Sequence, residues 1–231
     1  MSVLIPVLKL ERTFILYHKP KTNLYPSLNI LKITFILFPV LLALGCTAKS
    51  PTNDWVDLFD GNTLDGWTPN FDDQQIAVKD GVIEMMSVKK NLWLVHNEVF
   101  TDFELEIEIK APLENYNTGV AFRCDEIPVG YQCEIFDRQS GSLYAIKKGW
   151  IFPPSKAELE SFYAISKDSY KPGAWNHYRI RCVGDHIQIW VNGHLTTDVK
   201  DTTFKEGRVA IQHHGRGDVH YFRNIKIRPT P

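Results

Sequence analysis

From Ile76 onward the sequence alternates apolar and polar residues with a period of two, and no stretch holds a helical period for long. Phe103, Leu105, Ile107 and Ile109 alternate with Glu104, Glu106, Glu108 and Lys110, which predicts a strand with one apolar face and one solvated acidic face. Short turn signals separate such runs. Asp80-Gly81 stands between Ile76–Lys79 and Val82–Met85. Gly184-Asp185 divides Tyr178–Val183 from His186–Val191, and Asn192-Gly193 leads on to His194–Val199. Strands joined by tight turns, without helices between them, predict an all-β antiparallel β-sandwich. The one long interruption, Ser140 to Gly173, holds Pro153-Pro154 and then Ser155 with Glu158 three residues on, a capping-box pattern for one helical turn or two. A loop that long in a compact domain is often functional.

The first fifth of the chain is different. Ile33 to Gly45 has no charged residue, follows positive charge at His18, Lys19, Lys21 and Lys32, and ends at Cys46. About a dozen apolar residues suit a signal-peptide core better than a bilayer span. Leu42-Ala43-Leu44-Gly45-Cys46 resembles a bacterial lipobox, with Ala43 and Leu44 swapped against the commonest order, so Cys46 is the expected lipidation site. The other reading is an ordinary signal peptide with an incidental Cys. The expected organisation is therefore an extension and lipoprotein signal peptide over 1–46, a tether over 47–54 and a sandwich domain over 55–231. The expected location is the cell envelope, exported and membrane-anchored on the periplasmic side or the cell surface.

Lys and Arg total 26 and Asp and Glu 27, so no basic excess points to nucleic acid. Aromatics make up 12% of the chain, which fits either a sandwich core or a surface that stacks on sugars. Cys124 and Cys133 flank an expected turn and could pair across neighbouring strands; buried free thiols are the equal alternative, and Cys182 is left over.

Strand parity sorts the polar residues. In 117–124, Val120, Phe122 and Cys124 form an apolar row opposed by Asn117, Gly119, Ala121 and Arg123. In 131–137, Cys133 and Ile135 oppose Gln132, Glu134 and Phe136. In 208–215, Val209 and Ile211 oppose Ala210, Gln212 and His214. Gly119, Ala121 and Ala210 leave room above the sheet, and Arg123, Glu134, Gln212 and His214 bring hydrogen-bonding groups to it. That mixture suits a polyhydroxylated ligand, although an ordinary wet face would look similar. Zinc-type Cys pairs, HExxH, a phosphate loop and a nucleophile elbow are all missing from the sequence.

Asp57-Leu58-Phe59-Asp60-Gly61-Asn62-Thr63-Leu64-Asp65-Gly66-Trp67 resembles the opening of the 3-keto-disaccharide hydrolase domains. The resemblance continues in order through Asn117-Thr118-Gly119-Val120, Phe122-Arg123 and Gly130 to Asp137. It then runs through Gly141-Ser142-Leu143-Tyr144, Trp190-Val191-Asn192-Gly193, Gly207 to Gly215 and Phe222-Arg223-Asn224-Ile225. One departure stands out: where that family often has Glu then Gln, this chain has Gln132 then Glu134, so the acid moves one pleat along the same face.

The resemblance implies a concanavalin A-like jelly roll that cleaves 3-keto-glycosides. A base removes the C2 proton, acidified by the C3 ketone, and β-elimination expels the C1 oxygen, with water able to add to the resulting glucal. It further implies Glu134 or His214 as base, Arg123 steadying the enolate oxygen, and Asn117, Gln132, Tyr144 and Gln212 binding hydroxyls. Asp137 would hold a divalent metal or a neighbouring side chain. The partners expected are a small-molecule sugar substrate and a membrane reached through the lipid. The alternatives are a non-catalytic carbohydrate-binding domain, a conventional two-carboxylate glycosidase and a structural adhesion domain.

Overall fold

The computed structural model describes residues 54–71, 75–88, 91–136 and 138–230, all within the unit Thr47–Pro231. Cys46, nearly all of the expected tether, and Asp137 lie outside the described residues. The chain runs through β1 (Val56–Asp57), β2 (Trp67–Pro69), β3 (Ile76–Lys79), β4 (Val82–Met86) and β5 (Leu92–His96). It continues through β6 (Phe103–Lys110), β7 (Asn117–Cys124), β8 (Tyr131–Phe136), β9 (Ser142–Ala145) and β10 (Gly149–Phe152). After α1 (Lys156–Ser169) come β11 (Asn176–Val183), β12 (His186–Val191), β13 (His194–Lys200), β14 (Arg208–His213) and β15 (Val219–Pro229).

The strands form two sheets, and every pairing between them is antiparallel. The first has the order β13-β12-β11-β6-β15-β4-β3, with β1 also on β15; the second has the order β10-β9-β8-β7-β14-β5-β2. The inner rows meet in one core. Phe103, Leu105, Ile107 and Ile109 of the first sheet share it with Val120, Phe122, Cys133, Ile135, Val209 and Ile211 of the second. Each such side chain contributes about 1.5–3 kcal/mol on burial. The sandwich is therefore as the alternation predicts. No helix among the described residues is long and apolar enough to cross a membrane.

Three expectations are corrected, and one that was left open is decided. Ser155 caps α1 as its spacing implies, accepting from the Glu158 amide at 3.3 Å while its hydroxyl donates to Glu158 Oε2 at 2.6 Å. The helix nevertheless runs 14 residues, because Phe162 buries against Phe152 and rewards its continuation. The same interruption also hides β9 and β10, whose turn places Lys147 at φ +67 and closes on Gly149 at φ +111.

The acidic row of β6 is not merely solvated. Glu104 is 3% exposed and held by Arg179, Arg181 and Arg228, while Glu106 pairs with Lys226 at 2.9 Å and Glu108 with Arg223 at 2.6 Å. The three described cysteines, Cys124, Cys133 and Cys182, are free and buried, the second of the two readings open from the sequence. Cys124 and Cys133 cannot pair, since Cys133 enters the main core and Cys124 a small cluster on the opposite face with Trp93, Val95, Ala121 and Ala210.

The last correction concerns Arg123. Ala121 pairs with Ala210 and Cys124 with Arg208, so three steps on β7 oppose two on β14. That extra residue is a β-bulge, and Arg123 sits in it at φ +46. The bulge resets the parity, which is why Cys124 leaves the core row. It also turns Arg123 away from Gly119 and Ala121. The guanidinium, 1% exposed, donates to Thr101 O (2.9 Å), Gly184 O (2.8 Å), Phe204 O (3.3 Å) and Asp102 Oδ1 (2.9 Å). Asp102 Oδ1 also accepts from the Gly184 amide at 2.9 Å. One side chain of the second sheet thereby fastens the β11–β12 turn and the segment entering β6 of the first.

Replacing it leaves buried carbonyls and a carboxylate without donors. Arg123→Ala is expected to destabilise the domain by about 3 kcal/mol or more, and Arg123→Lys to recover only part, in chemical denaturation. Unchanged midpoints would show that the four bonds carry no net stability.

Candidate functional site

The outer face of the second sheet is built from residues that the core cannot use. Across the strands, Tyr144 pairs with Gln132, Gln132 with Ala121, Ala121 with Ala210, and Ala210 with Val95. At about 4.8 Å per strand this row spans about 19 Å. The next row holds Ser142, Glu134 and Gly119, continued by the pair Gln212 and Trp93. Small residues at Gly119, Ala121 and Ala210 form the floor, and aromatics stand toward both edges. Trp150, 43% exposed, lies edge-on to Tyr144 at 5.2 Å on one side, and Trp93 lies on the other.

The amides are fixed in a chain. Gln132 Nε2 donates to Gln212 Oε1 at 3.0 Å, and Gln212 Nε2 donates to Asn91 Oδ1 at 3.5 Å. The first bond passes over Gly119, where a Cβ would come within 2.4 Å of Gln132 Nε2. Glycine is required there because the amide lies where any side chain would go. Each donating Nε2 keeps a second proton for a ligand.

Glu134 shares this face with Gln132 and is half-buried. No described residue donates a hydrogen bond to its carboxyl, and burial pushes it up to about 8. Burial of a carboxylate without a compensating cation favours the neutral acid. Among the described strand residues of this face it is the one carboxyl.

Beyond Glu134 the same face of β8 carries Phe136, which opens into a cleft of about 650 Å³ against α1. Tyr116, Arg138, Lys167, Tyr170 and Arg216 also line it, with Glu114 as its one acid among the described residues. Arg216 stands 5.6 Å over Phe136 and donates to Asn115 O at 2.8 Å.

The structure therefore brings Gln132, Glu134 and Gln212 together, with Tyr144 beside Gln132 and Asn117 opposite Phe136 in the next row. It keeps Arg123 out, its donors occupied between the sheets. β14 ends at His213, so strand alternation no longer fixes the direction of His214, and Asp137 is outside the described residues. Asn91, Trp93 and Trp150 were missed. Trp150 was hidden with β10, and Asn91 sits at φ +60 in a turn, where parity says nothing. Trp93 was legible only as part of an unbroken apolar run, Leu92–Val95.

The raised Glu134 has a consequence for stability. The unfolded chain releases this proton near pH 4.5 and the folded one near 8, so the folded state binds more protons in that window and stability falls as pH rises through it. Glu134→Gln removes the cost. The variant is expected to match the parent near pH 4 and exceed it at pH 8 by on the order of 3 kcal/mol, measured by denaturation at both pH values. A constant difference across pH would mean that the carboxyl is solvated.

The sequence profile of 3-keto-alpha-glucoside-1,2-lyase-like domains matches residues 54–228. No curated protein has a sequence that matches this one. Among solved structures, a candidate glycosyl hydrolase of Parabacteroides distasonis ATCC 8503 superposes with a TM-score of 0.59 at 20% identity, over 78% of this chain and 95% of that one. A second from the same organism gives 0.55 at 23% identity, over 77% and 100%. A Bacillus subtilis protein of unknown function with a galectin-like fold gives 0.50 at 11% identity, over 71% and 90%. At these identities the three support the fold.

Proposed function

The chain belongs to the 3-keto-alpha-glucoside-1,2-lyase-like family, and from that membership and the Glu134 face we propose that it cleaves 3-keto-glycosides by β-elimination. The observation that carries this reading is a carboxyl raised by burial, the one on the described strands of its face, set beside two bonded amides on a floor of small residues. A two-carboxylate glycosidase needs an acid and a base or nucleophile flanking the bond. Elimination next to a ketone needs one base at C2.

In the proposed step, ionised Glu134 takes the C2 proton and the electron pair moves toward the C3 oxygen. The proposal gives the free protons on Gln132 Nε2 and Gln212 Nε2 the task of steadying that oxygen or its neighbours, the part first expected of Arg123. The pair then returns to form the C1–C2 double bond as the C1–O1 bond breaks. The departing oxygen takes a proton, a role the proposal gives to His214. Tyr144 and Trp150 offer apolar faces for the sugar ring, and the cleft beyond Phe136 has room for the rest of the glycoside. A base whose pKa lies near 8 is matched to abstracting a weakly acidic proton close to neutral pH.

Incubating the protein with a 3-keto-glucoside and with the parent glucoside tests the reading. Release of aglycone from the keto-sugar alone, slowed by deuterium at C2, is the expected result. Its kcat/KM should rise with pH and level off above about 8, and Glu134→Gln should lower it by about 10²–10⁴-fold. The exposed Trp150 against Tyr144 favours one second reading, a sugar-binding surface without turnover. Binding of both sugars with release from neither would establish that instead.

The cell-envelope location is also a proposal, resting on the lipobox-like segment ending at Cys46. Cys46→Ser is expected to move the protein from the membrane fraction to the soluble fraction; an unchanged distribution would leave Cys46 without that role.

A further inference from the structure

On the core side of the sandwich, away from Glu134, lies a second group of polar side chains that the proposed chemistry does not use. His213 ends β14 in the second sheet, His220 lies on β15 in the first, and Asp218 stands in the turn between them. Both histidines are fully buried, and their rings lie 4.7 Å apart at 69°. Their register partners are Leu92 and Met85, so the surroundings are apolar. Neither nitrogen of His220 and neither carboxylate oxygen of Asp218 has a hydrogen-bond partner. Burying four such atoms unsatisfied costs several kcal/mol, which a fold tolerates when something else occupies the space.

The spacing points to what that is. His213 Nε2 lies 3.3 Å from Asp218 Oδ1, and His220 Nε2 lies 3.4 Å from Asp218 Oδ2, with the three ligand atoms within 4.8 Å of one another. Those contacts are long and badly aligned for charged hydrogen bonds, which close to about 2.8 Å. Each, one to either carboxylate oxygen, is close to the edge of a tetrahedron around a cation with ligands at about 2.0–2.1 Å, which is about 3.3–3.4 Å. We infer that His213, Asp218 and His220 form a site for a divalent cation of the zinc class, joining the two sheets at the 214–218 turn. Two imidazoles and one carboxylate are a donor set that zinc accepts, while calcium and magnesium call for oxygen ligands throughout.

Loading needs one local change. His213 Nδ1 now accepts from the Gly215 amide at 2.9 Å, which places the ring proton on Nε2, facing Asp218 O at 2.8 Å. As a ligand through Nε2 the ring takes the other tautomer, and the peptide of Gly215, at φ +84, turns so that Nδ1 can donate. No net proton is released. The cation fixes the turn that carries His214 and Arg216, so its role is to position that end of the face.

The test uses the full chain, untagged, stripped with chelator and titrated with zinc chloride and, separately, cobalt chloride. One tightly held equivalent, a tetrahedral cobalt absorption band and a rise in Tm of about 5 °C, all reversed by chelator, are the expected results. Asp218→Asn, placed on the turn where folding tolerates it, should lose the cobalt band and the Tm response, and His220→Gln should do the same. The inference is overturned by a folded wild type that holds no stoichiometric metal. It is equally overturned by an Asp218→Asn variant that keeps the same cobalt band, which would place the ion elsewhere.

Discussion

Two sheets share one core only if each strand gives it a single row, and that requirement decides almost everything on the opposite face. β7, β8 and β14 send Val120, Phe122, Cys133, Ile135, Val209 and Ile211 inward. By alternation, Gly119, Ala121, Gln132, Glu134, Ala210 and Gln212 must then stand outside. Where the apolar row is continuous, the polar row is held in register to within a fraction of a strand spacing. The amide bridge over Gly119 is a product of that register: three strands aligned by their buried sides bring Gln132 and Gln212 within 3.0 Å on the other.

Arg123 shows what happens where the requirement is broken. A single inserted residue reverses the faces, sends Cys124 outward and frees a guanidinium to span the sheets. The bulge thus converts a residue that parity assigns to the ligand face into the fastening between β7 and the segment entering β6. No cation is paired with Glu134 among the described residues, and burial alone raises its carboxyl to about 8.

The sandwich, the three hairpins read from their turns and the cap of α1 were legible because each rests on local chemistry: alternation, Asp-Gly, Gly-Asp and Asn-Gly turns, and Ser155 with Glu158. The outer-face membership of Gln132, Glu134 and Gln212 was legible for the same reason. What escaped is non-local. The bulge at Arg123 depends on the pairing with Arg208 and Ala210, which no run of residues announces. The β9–β10 turn puts a lysine, Lys147, at positive φ ahead of Gly149, and the length of α1 depends on the Phe152–Phe162 contact. The buried His213 and His220 come together only because β14 and β15 belong to different sheets and face each other across the core.

The economy of charge on the ligand face fits the chemistry proposed for it. Breaking an ordinary glycosidic bond demands an oxocarbenium-like transition state, with one carboxyl to protonate the leaving oxygen and a second to meet the cation or activate water. A ketone at C3 moves the demand elsewhere: negative charge now develops on an oxygen two carbons from the departing group, and the enzyme must supply a base and neutral donors. A second carboxylate beside Glu134 would oppose that charge and compete for the same proton. Two glutamines whose orientations are already fixed oppose nothing and need little reorganisation as the enolate forms. One acid on the described strands and its paired amides are thus a better match to proton abstraction beside a carbonyl than to hydrolysis of an unmodified glycoside.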